Sequence, residues 1–246
     1  GDNGWADDFA HNQHLFSYAL SYYLKNNYTY IEAGDGDELW QFTSFQEIRK
    51  TYGNIFDILR QFHEKNRLHM LYGNHDIQKK NKRYVRKNLY YYFDDITRTQ
   101  KKLLEGITIK ESVVLSYKKN KLQLFITHGH QGQLLNDIFW PLGKFLVRFL
   151  WKPLQLIGIK DTTSPAKNYR VRKSVEKRYG KWMKSNRAVL ITGHTHHPVF
   201  PNLDEPLYFN CGCCTHPRSI IGIEINKGKI YLIKWHVKIK EDGLLY

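Results

Sequence analysis

Four short segments of the chain carry residue types that bind divalent metals. They are GDGDE at residues 34–38, GNHD at 73–76, THGH at 127–130 and GHTH at 193–196. Each places Asp, Asn or His beside Gly at the end of an apolar run such as YTYIEA, LHMLY, LQLFI or AVLI. Carboxylate, amide and imidazole ligands together suit divalent metals of intermediate softness. The pattern predicts one polynuclear metal site at one edge of a sheet; the alternative is a set of Gly-rich turns with polar caps.

The order and spelling of these segments resemble those of the calcineurin-like metallophosphoesterases. The family pattern is Asp-x-His, Gly-Asp-x-x-Asp/Glu, Gly-Asn-His-Asp/Glu, a His-Gly element and Gly-His-x-His, and the last four stand here in order. Asp-x-His occurs nowhere in the 246 residues. Because the family places this motif before the Gly-Asp element, we expect it upstream of Gly1, with the natural N-terminus further upstream still.

Apolar periodicity predicts an alternation of helices and strands. Residues 9–24 and a segment from an N-cap at Ser44 through Phe62 have helical spacing. YTYIEA and RLHMLY read as buried strands, and residues 111–127 and 218–235 read as two β-hairpins. Helix–strand units followed by hairpins predict an α/β fold, either a mixed sheet or a two-sheet sandwich layered with helices.

The resemblance to the family sharpens this expectation. It implies the four-layer α/β/β/α metallophosphoesterase sandwich, formed as a single domain by residues 1–246, with residues 131–187 as a helical cap insertion. A length of 246 residues fits one large α/β domain that needs no disulfides to fold.

The resemblance also implies a ligand set for two divalent ions. Asp35 would bridge both ions, while Asn74, His128 and His194 would complete one of them. His196 would bind the other, together with the Asp and His of the missing upstream motif. Manganese is the foremost candidate, with iron, zinc, magnesium and nickel as alternatives. Two such ions would clamp the phosphoryl oxygens and hold a bridging hydroxide for in-line attack.

Catalytic roles are implied for two further residues of these motifs. His75 would face the phosphate, as an acid for the leaving group or as a ligand of the phosphoryl oxygen, and Glu38 would orient it. An imidazole suits proton donation because it titrates near neutral pH. Asp76 is expected to fasten its own loop, and Asp37 is predicted to be a solvated loop carboxylate.

Other residues of types that can bind metals lie beside the motifs or after them. His130 and His197 adjoin the predicted ligands, and support of those ligands or contact with substrate is favoured over direct metal contact. The cysteines Cys211, Cys213 and Cys214 are crowded into NCGCC. We interpret them as small, buried, reduced thiols, with a second metal or redox site as the alternative. A reducing, cytoplasmic location is expected, with peripheral attachment to the membrane left open.

The insertion contains an apolar segment at residues 138–159. Pro141 and Pro153 delimit a predicted helix of about 18 Å, too short to cross a bilayer. A basic stripe at every fourth residue and flanking tryptophans suit a membrane interface or a lipid-covering lid. A core helix or a dimer contact is equally favoured. The residues expected to contact substrate or membrane are Trp140, Lys144, Phe145, Arg148, Trp151 and Lys152.

The charge of the chain predicts anionic partners. The formal net charge is +15, and two basic runs, residues 78–88 and 167–187, follow the motif loops. The second run is predicted to be helical. Phosphate-bearing substrates and anionic lipid headgroups both fit, and nucleic acid is less favoured. The oligomeric state stays open.

Three functions remain from the sequence. The first is hydrolysis of a phosphoester or pyrophosphate in an amphiphilic or nucleotide-linked substrate. The GDGDELW spelling and the helical insertion resemble the UDP-2,3-diacylglucosamine hydrolases. However, His75 stands where those enzymes typically carry Arg, and THGH replaces their His-Gly-Asp. The second is a nuclease or nucleotide phosphodiesterase of the same fold, and the third is an inactive, membrane-associated binding protein.

Overall fold

The computed structural model describes residues 7–42, 44–117, 122–131 and 168–238. Within these residues the helices are α1 (Gln13–Lys25), α2 (Phe45–Thr51), α3 (Gly53–Glu64), α4 (Lys82–Leu89) and α5 (Tyr169–Asn186), with 3₁₀ helices at Ala10–Asn12 and Ile77–Lys80. The strands are β1 (Tyr30–Glu32), β2 (Leu68–Leu71), β3 (Tyr91–Asp94), β4 (Thr99–Lys102), β5 (Ile109–Lys110), β6 (Ser112–Tyr117), β7 (Leu122–Thr127), β8 (Val189–Thr192), β9 (Tyr208–Asn210), β10 (Ser219–Asn226) and β11 (Lys229–His236).

Two sheets carry the predicted motifs. The first has the order β1-β2-β5 and is parallel throughout, with Ile31 opposite His69 and Met70 opposite Ile109. The second has the order β6-β7-β8-β9, in which β6 runs antiparallel to β7 and the other pairs are parallel. All four residues of β8 are buried, as expected for a central parallel strand covered on both faces.

Three apolar clusters stack these elements into layers. The helices α1 to α4 pack with β2 in the first cluster, around the fully buried Phe62. In the second, Leu71 of the first sheet shares one buried cluster with Leu124, Ile126 and Val189 of the other sheet, so the two sheets lie face to face. The third cluster packs α5 against β8 and β9. This is the α/β/β/α sandwich that the resemblance implied.

The predicted hairpins are both present, as β6–β7 and as β10–β11. The second hairpin packs on α1, where Trp235 lies edge-on to Tyr18, Tyr22 and Tyr23 at centroid distances of 5.3 to 6.0 Å. These edge-on aromatic contacts join the hairpin to α1.

The prediction of one helix from Ser44 through Phe62 was wrong. The segment forms α2 and α3, separated at Tyr52, whose φ and ψ of −110° and 34° are not helical. Gly53 begins the next helix, and glycine weakens a continuous helix because it loses the most backbone entropy. Ser44 does occupy the N-cap position of α2, but its side chain makes no capping hydrogen bond.

Candidate metal centre

Four motif loops leave the carboxyl ends of four strands. Asp35 follows β1, Asn74 follows β2, His128 directly follows β7 and His194 follows β8. Parallel neighbours within each sheet point their carboxyl ends the same way, and α/β folds place ligands in the crevice there. The packing of the two sheets then brings the four side chains together.

Three of the side chains converge on one nitrogen atom of the fourth. Nε2 of His128 lies 3.0 Å from Oδ2 of Asp35, 3.2 Å from Oδ1 of Asn74 and 3.2 Å from Nδ1 of His194. Asp35, His128 and His194 each offer a ligand atom within 4.8 Å of the others. His128, His194 and Asn74 are buried, and Asp35 is half-buried.

A backbone hydrogen bond sets the tautomer of His128. Its Nδ1 lies 2.9 Å from the carbonyl oxygen of Ala33, which can only accept, so Nδ1 carries the proton. In the neutral ring Nε2 therefore presents a lone pair to the carboxylate of Asp35 and the amide oxygen of Asn74. A hydrogen bond to the far nitrogen is the usual support of a metal-bound histidine. The donor set fits a divalent cation bound among these side chains.

Electrostatics within the cluster favour the ligand forms of His194 and Asp35, whereas burial tends to lower the pKa of His128 but the carboxylate of Asp35 outweighs it and raises this pKa. Burial and the neighbouring His128 hold the pKa of His194 well below its usual range, so its ring is neutral at physiological pH. Burial tends to raise the pKa of Asp35, but His128 and His75 outweigh it and hold this pKa well below its usual range. A neutral imidazole and an ionised carboxylate are the states that bind metals.

The backbone of these loops adopts a conformation that non-glycine residues rarely occupy. Asp35, His194 and His196 have φ values of 57°, 55° and 55°. Left-handed backbone at such residues is disfavoured, persists only where the surrounding structure enforces it, and clusters at functional sites. The loops thus hold their side chains inward at some expense in local stability.

Gly73 permits the closest approach between the first two loops. A Cβ atom at this position would overlap Oδ1 of Asp35. The backbone N–H of Gly73 donates to Oδ1 of Asp76 at 2.7 Å. The same carboxylate oxygen also accepts from the N–H of Asp35 at 3.3 Å. Asp76 therefore fastens its own loop, as predicted, and also joins it to the loop after β1.

His75 and Glu38 form a pair at the edge of the cluster. Nδ1 of His75 lies 2.6 Å from Oε2 of Glu38, and the backbone N–H of His75 donates to Oδ1 of Asp35 at 2.8 Å. The ring stacks on Trp40 with centroids 4.8 Å apart. Burial tends to lower the pKa of His75, but the carboxylates of Glu38 and Asp35 raise it to about 10. The imidazolium is thus retained at neutral pH.

The other motif histidines occupy different environments. His196 is half-buried, and burial lowers its pKa to about 4; it lies outside the group formed by Asp35, His128 and His194. His130 is buried, with its ring 5.4 Å from that of His128. His197 is exposed.

The prediction that Asp37 is a solvated loop carboxylate was wrong. Asp37 is buried, and its Oδ2 lies 2.6 Å from Nζ of Lys79, which is fully buried. The basic run at residues 78–88 gave no sign that one of its lysines points inward.

Sequence reasoning also missed the support of the GHTH loop. Asn210 is fully buried, and its side-chain amide donates to the carbonyl of Gly193 at 2.5 Å and lies 3.1 Å from Oγ1 of Thr195. The asparagine is the first residue of NCGCC, a segment whose cysteines gave no indication of this role. Cys211, Cys213 and Cys214 form no disulfide within the described residues; Cys213 is buried, as interpreted, while Cys211 and Cys214 are half-buried.

The apolar segment at residues 138–159 lies outside the described residues, with its predicted contacts Trp140, Lys144, Phe145, Arg148, Trp151 and Lys152. Within the described part of the chain, no helix is both long and apolar enough to cross a bilayer. The helix predicted in the second basic run is present as α5.

Comparisons with known proteins identify a family. The profile described as "Calcineurin-like phosphoesterase superfamily domain" matches residues 51–225. A search of curated proteins found no match. Among solved structures, the chain is similar to a single mutant of Vps29 from Entamoeba histolytica, with 14% identity, 88% of each chain covered and a TM-score of 0.32. Vacuolar Protein Sorting 29 from Cryptosporidium parvum has 13% identity over 71% of this chain and 74% of that chain, with a TM-score of 0.28. Both TM-scores are low, so these two likenesses carry no argument.

Proposed function

This chain belongs to the calcineurin-like phosphoesterase superfamily, and we propose that it is a metal-dependent phosphoesterase. The observation that carries the proposal is the convergence of Asp35, Asn74 and His194 on Nε2 of His128. We propose that these four residues would hold one divalent ion. Asp35 and His196 are the residues of this chain proposed for a second ion, and manganese is the foremost candidate for both positions.

A divalent ion bound there would polarise a phosphoryl oxygen and lower the pKa of a water molecule. The protein contributes the positions of the ligands, which lie in loops directly after the ends of buried strands. It also limits access of solvent, because Asn74, His128 and His194 are buried. Ligands fixed in this way need little rearrangement when the ion binds.

His75 is proposed as the proton donor or phosphoryl-oxygen ligand. Its Nδ1 is committed to Glu38, so Nε2 is the nitrogen left to serve a substrate. The Glu38 carboxylate keeps the ring protonated, and the stacked Trp40 limits its rotation. A positioned proton donor of this kind typically contributes about 10²–10⁴-fold to the rate.

The substrate proposed is a phosphoester or pyrophosphate that is amphiphilic or nucleotide-linked. Helix α5 favours an anionic substrate through its charge alone, since its one acidic residue is Glu176 and a run of exposed basic residues follows the side of the helix opposite its buried residues. The members of this basic stripe are Arg170, Lys173, Lys177, Lys181 and Lys184. Tyr179 donates to the carbonyl of Gly129 at 2.6 Å and so ties α5 to the loop of His128. The proposed membrane contact of residues 138–159 would add an apolar anchor.

A nuclease is the second candidate, and the basic stripe on α5 is the observation that favours it. Binding of a single-stranded oligonucleotide would then weaken steeply with salt, because each neutralised phosphate releases counterions. Cleavage of the oligonucleotide in preference to a UDP-linked lipid substrate would select this candidate over the first.

The experiment that tests the proposal compares wild type with His75→Ala and with His14→Ala, an exposed histidine on α1. Each protein is loaded with Mn²⁺ and assayed on an aryl phosphodiester and an aryl phosphomonoester. We expect His75→Ala to keep its metal and lose about 10²–10⁴-fold in turnover, while His14→Ala matches wild type. Wild-type turnover in His75→Ala would remove this residue from the mechanism. Absence of turnover and of bound metal in wild type would refute the phosphoesterase itself.

A further inference from the structure

A fully buried lysine lies among three carboxylates, next to the loops at residues 34–38 and 73–76. Nζ of Lys79 lies 2.6 Å from Oδ2 of Asp37, 2.8 Å from Oδ2 of Asp76 and 3.8 Å from Oε1 of Glu32. The side chains of Lys79 and Asp76 are 0% exposed, and those of Asp37 and Glu32 are 4% and 13% exposed. We refer to these four residues as the lysine cluster.

The arrangement is expensive to bury and so requires a reason. Removing a charge from water costs several kcal/mol unless partners compensate it, and ion pairs rarely recover more than that loss. Apolar residues of similar volume would often stabilise a core at least as well. Stability alone therefore does not account for a lysine among three acids.

Covalent connectivity links the lysine cluster to the metal centre. Asp37 stands two residues after Asp35 in the loop that follows β1. Asp76 uses one carboxylate oxygen for Lys79 and the other for the backbone N–H groups of Gly73 and Asp35. Asp35 in turn accepts from the backbone of His75 through Oδ1 and meets His128 through Oδ2.

The lysine thus holds both loops from behind. Without its ammonium group, Asp37 and Asp76 would repel each other as buried like charges. The loop at residues 34–38 would separate from the loop at 73–76, and Asp35 would leave its place against His128. Packing of the core alone does not explain this arrangement, because Lys79 contacts Asp37 and Asp76, which belong to these two loops.

We propose that Lys79 is a positioning residue for the metal centre, locking the loops at 34–38 and 73–76 so that Asp35 and Asn74 face His128. The inference rests on the proposed function, since the cluster around His128 must bind a metal. Lys79 itself touches neither metal nor substrate, because it is sealed from solvent. Groups that orient metal ligands in this way typically change metal affinity by about 10–100-fold.

The test is Co²⁺ titration of metal-free protein, followed by visible absorption and calorimetry. Lys79→Met keeps an unbranched side chain without the charge, and Lys80→Met changes the exposed neighbouring lysine. We expect Lys79→Met to bind Co²⁺ about 10–100-fold more weakly and with an altered ligand-field spectrum. Lys80→Met should match wild type in both. The titrations are made well below the unfolding temperature of each metal-free variant.

A purely structural lysine would give a different outcome. Lys79→Met would then unfold at a lower temperature but, while folded, bind Co²⁺ with the wild-type affinity and spectrum. That result would overturn the proposal. Failure of the proposed function would give another result, because wild type itself would then bind no Co²⁺. The positioning role would be refuted together with it.

A second variant keeps the proposal testable if Lys79→Met does not fold. Asp37→Asn preserves the size of the side chain and removes one carboxylate from Lys79, while Asp57→Asn on α3 is an exposed control. We expect a weaker Co²⁺ affinity for Asp37→Asn and wild-type affinity for Asp57→Asn. Equal affinities of the two variants would contradict a role for the lysine cluster.

Discussion

Two polar clusters share the loops that follow β1 and β2, and they balance their charges differently. The lysine cluster contains its own cation, whose Nζ lies within 3.8 Å of all three of its carboxylates. The metal cluster of Asp35, Asn74, His128 and His194 instead turns a carboxylate, an amide oxygen and two imidazoles toward one another. The lysine cluster already contains a cation of the protein, whereas the metal cluster has the composition of a cation-binding site.

The pKa shifts follow the same division. In the lysine cluster, burial raises the pKa of Glu32 to about 7, although Lys79 acts against it. In the metal cluster, nearby imidazoles overcome burial and hold the pKa of Asp35 low. One site tolerates a protonated carboxyl, while the other keeps its carboxylate ionised and ready to bind a metal. Variants should therefore affect metal binding most when they touch the second cluster.

The largest effect is expected from His128→Ala, because every other member of the metal cluster faces this ring. Affinity for Mn²⁺ should fall by more than the roughly 10–100-fold that is typical of residues supporting a ligand. Hydrolysis should be lost with it. Calorimetric titration with Mn²⁺ checks this, with His14→Ala as the control, and a wild-type affinity would remove His128 from the centre.

Gly73→Ala should be the next most damaging change. Its Cβ would overlap the Asp35 carboxylate, so either the loop or the carboxylate must move. We expect weaker Mn²⁺ binding and a lower unfolding temperature. Gly180→Ala is the matched control, since a Cβ on that α5 glycine meets no atom within 4 Å. It should stabilise the protein by about 0.4–1 kcal/mol. Equal Mn²⁺ affinity in both variants would show that the close approach is unimportant.

The smallest effect concerns the lysine cluster and pH. The pKa of Glu32 rises from its ordinary 4.5 to about 7 in the folded protein, so the folded state holds a proton that the unfolded state releases between these values. This contribution to stability is fully present below 4.5 and is lost as the pH rises through 7. The unfolding temperature of wild type should therefore fall between about pH 5 and about pH 8, and Glu32→Gln should make this fall smaller.

Thermal unfolding of metal-free protein at both pH values measures this effect. Glu47→Gln, an exposed acid on α2, should leave the wild-type pH dependence unchanged. If Glu32→Gln retains the full wild-type dependence, the carboxyl of Glu32 is ionised in the folded state and the division between the two clusters is less sharp.

The metal cluster was easier to predict from the sequence than the lysine cluster. Each of its members lies in a short sequence motif at the end of a strand, and parallel strands bring such ends together. These members are Asp35, Asn74, His128 and His194. Their meeting required only the fold, which the spacing of apolar residues and the family resemblance indicated.

The lysine cluster depends on a contact between distant positions. Neither Asp37 nor Lys79 is marked as buried by its neighbours, because Glu38 adjoins the first, and Gln78 and Lys80 flank the second. Their pairing becomes visible only when the two loops are packed. The break between α2 and α3 escaped prediction for a related reason, since an apolar period can continue across a turn of the chain.

The most direct test of the central claim is the metal content of wild type, measured with hydrolysis of an aryl phosphodiester before and after chelation. We expect at least one divalent ion per chain, loss of turnover when the ion is removed and recovery when Mn²⁺ is restored. Absence of bound metal after Mn²⁺ loading, with no turnover, would contradict it and leave a binding scaffold on the same fold.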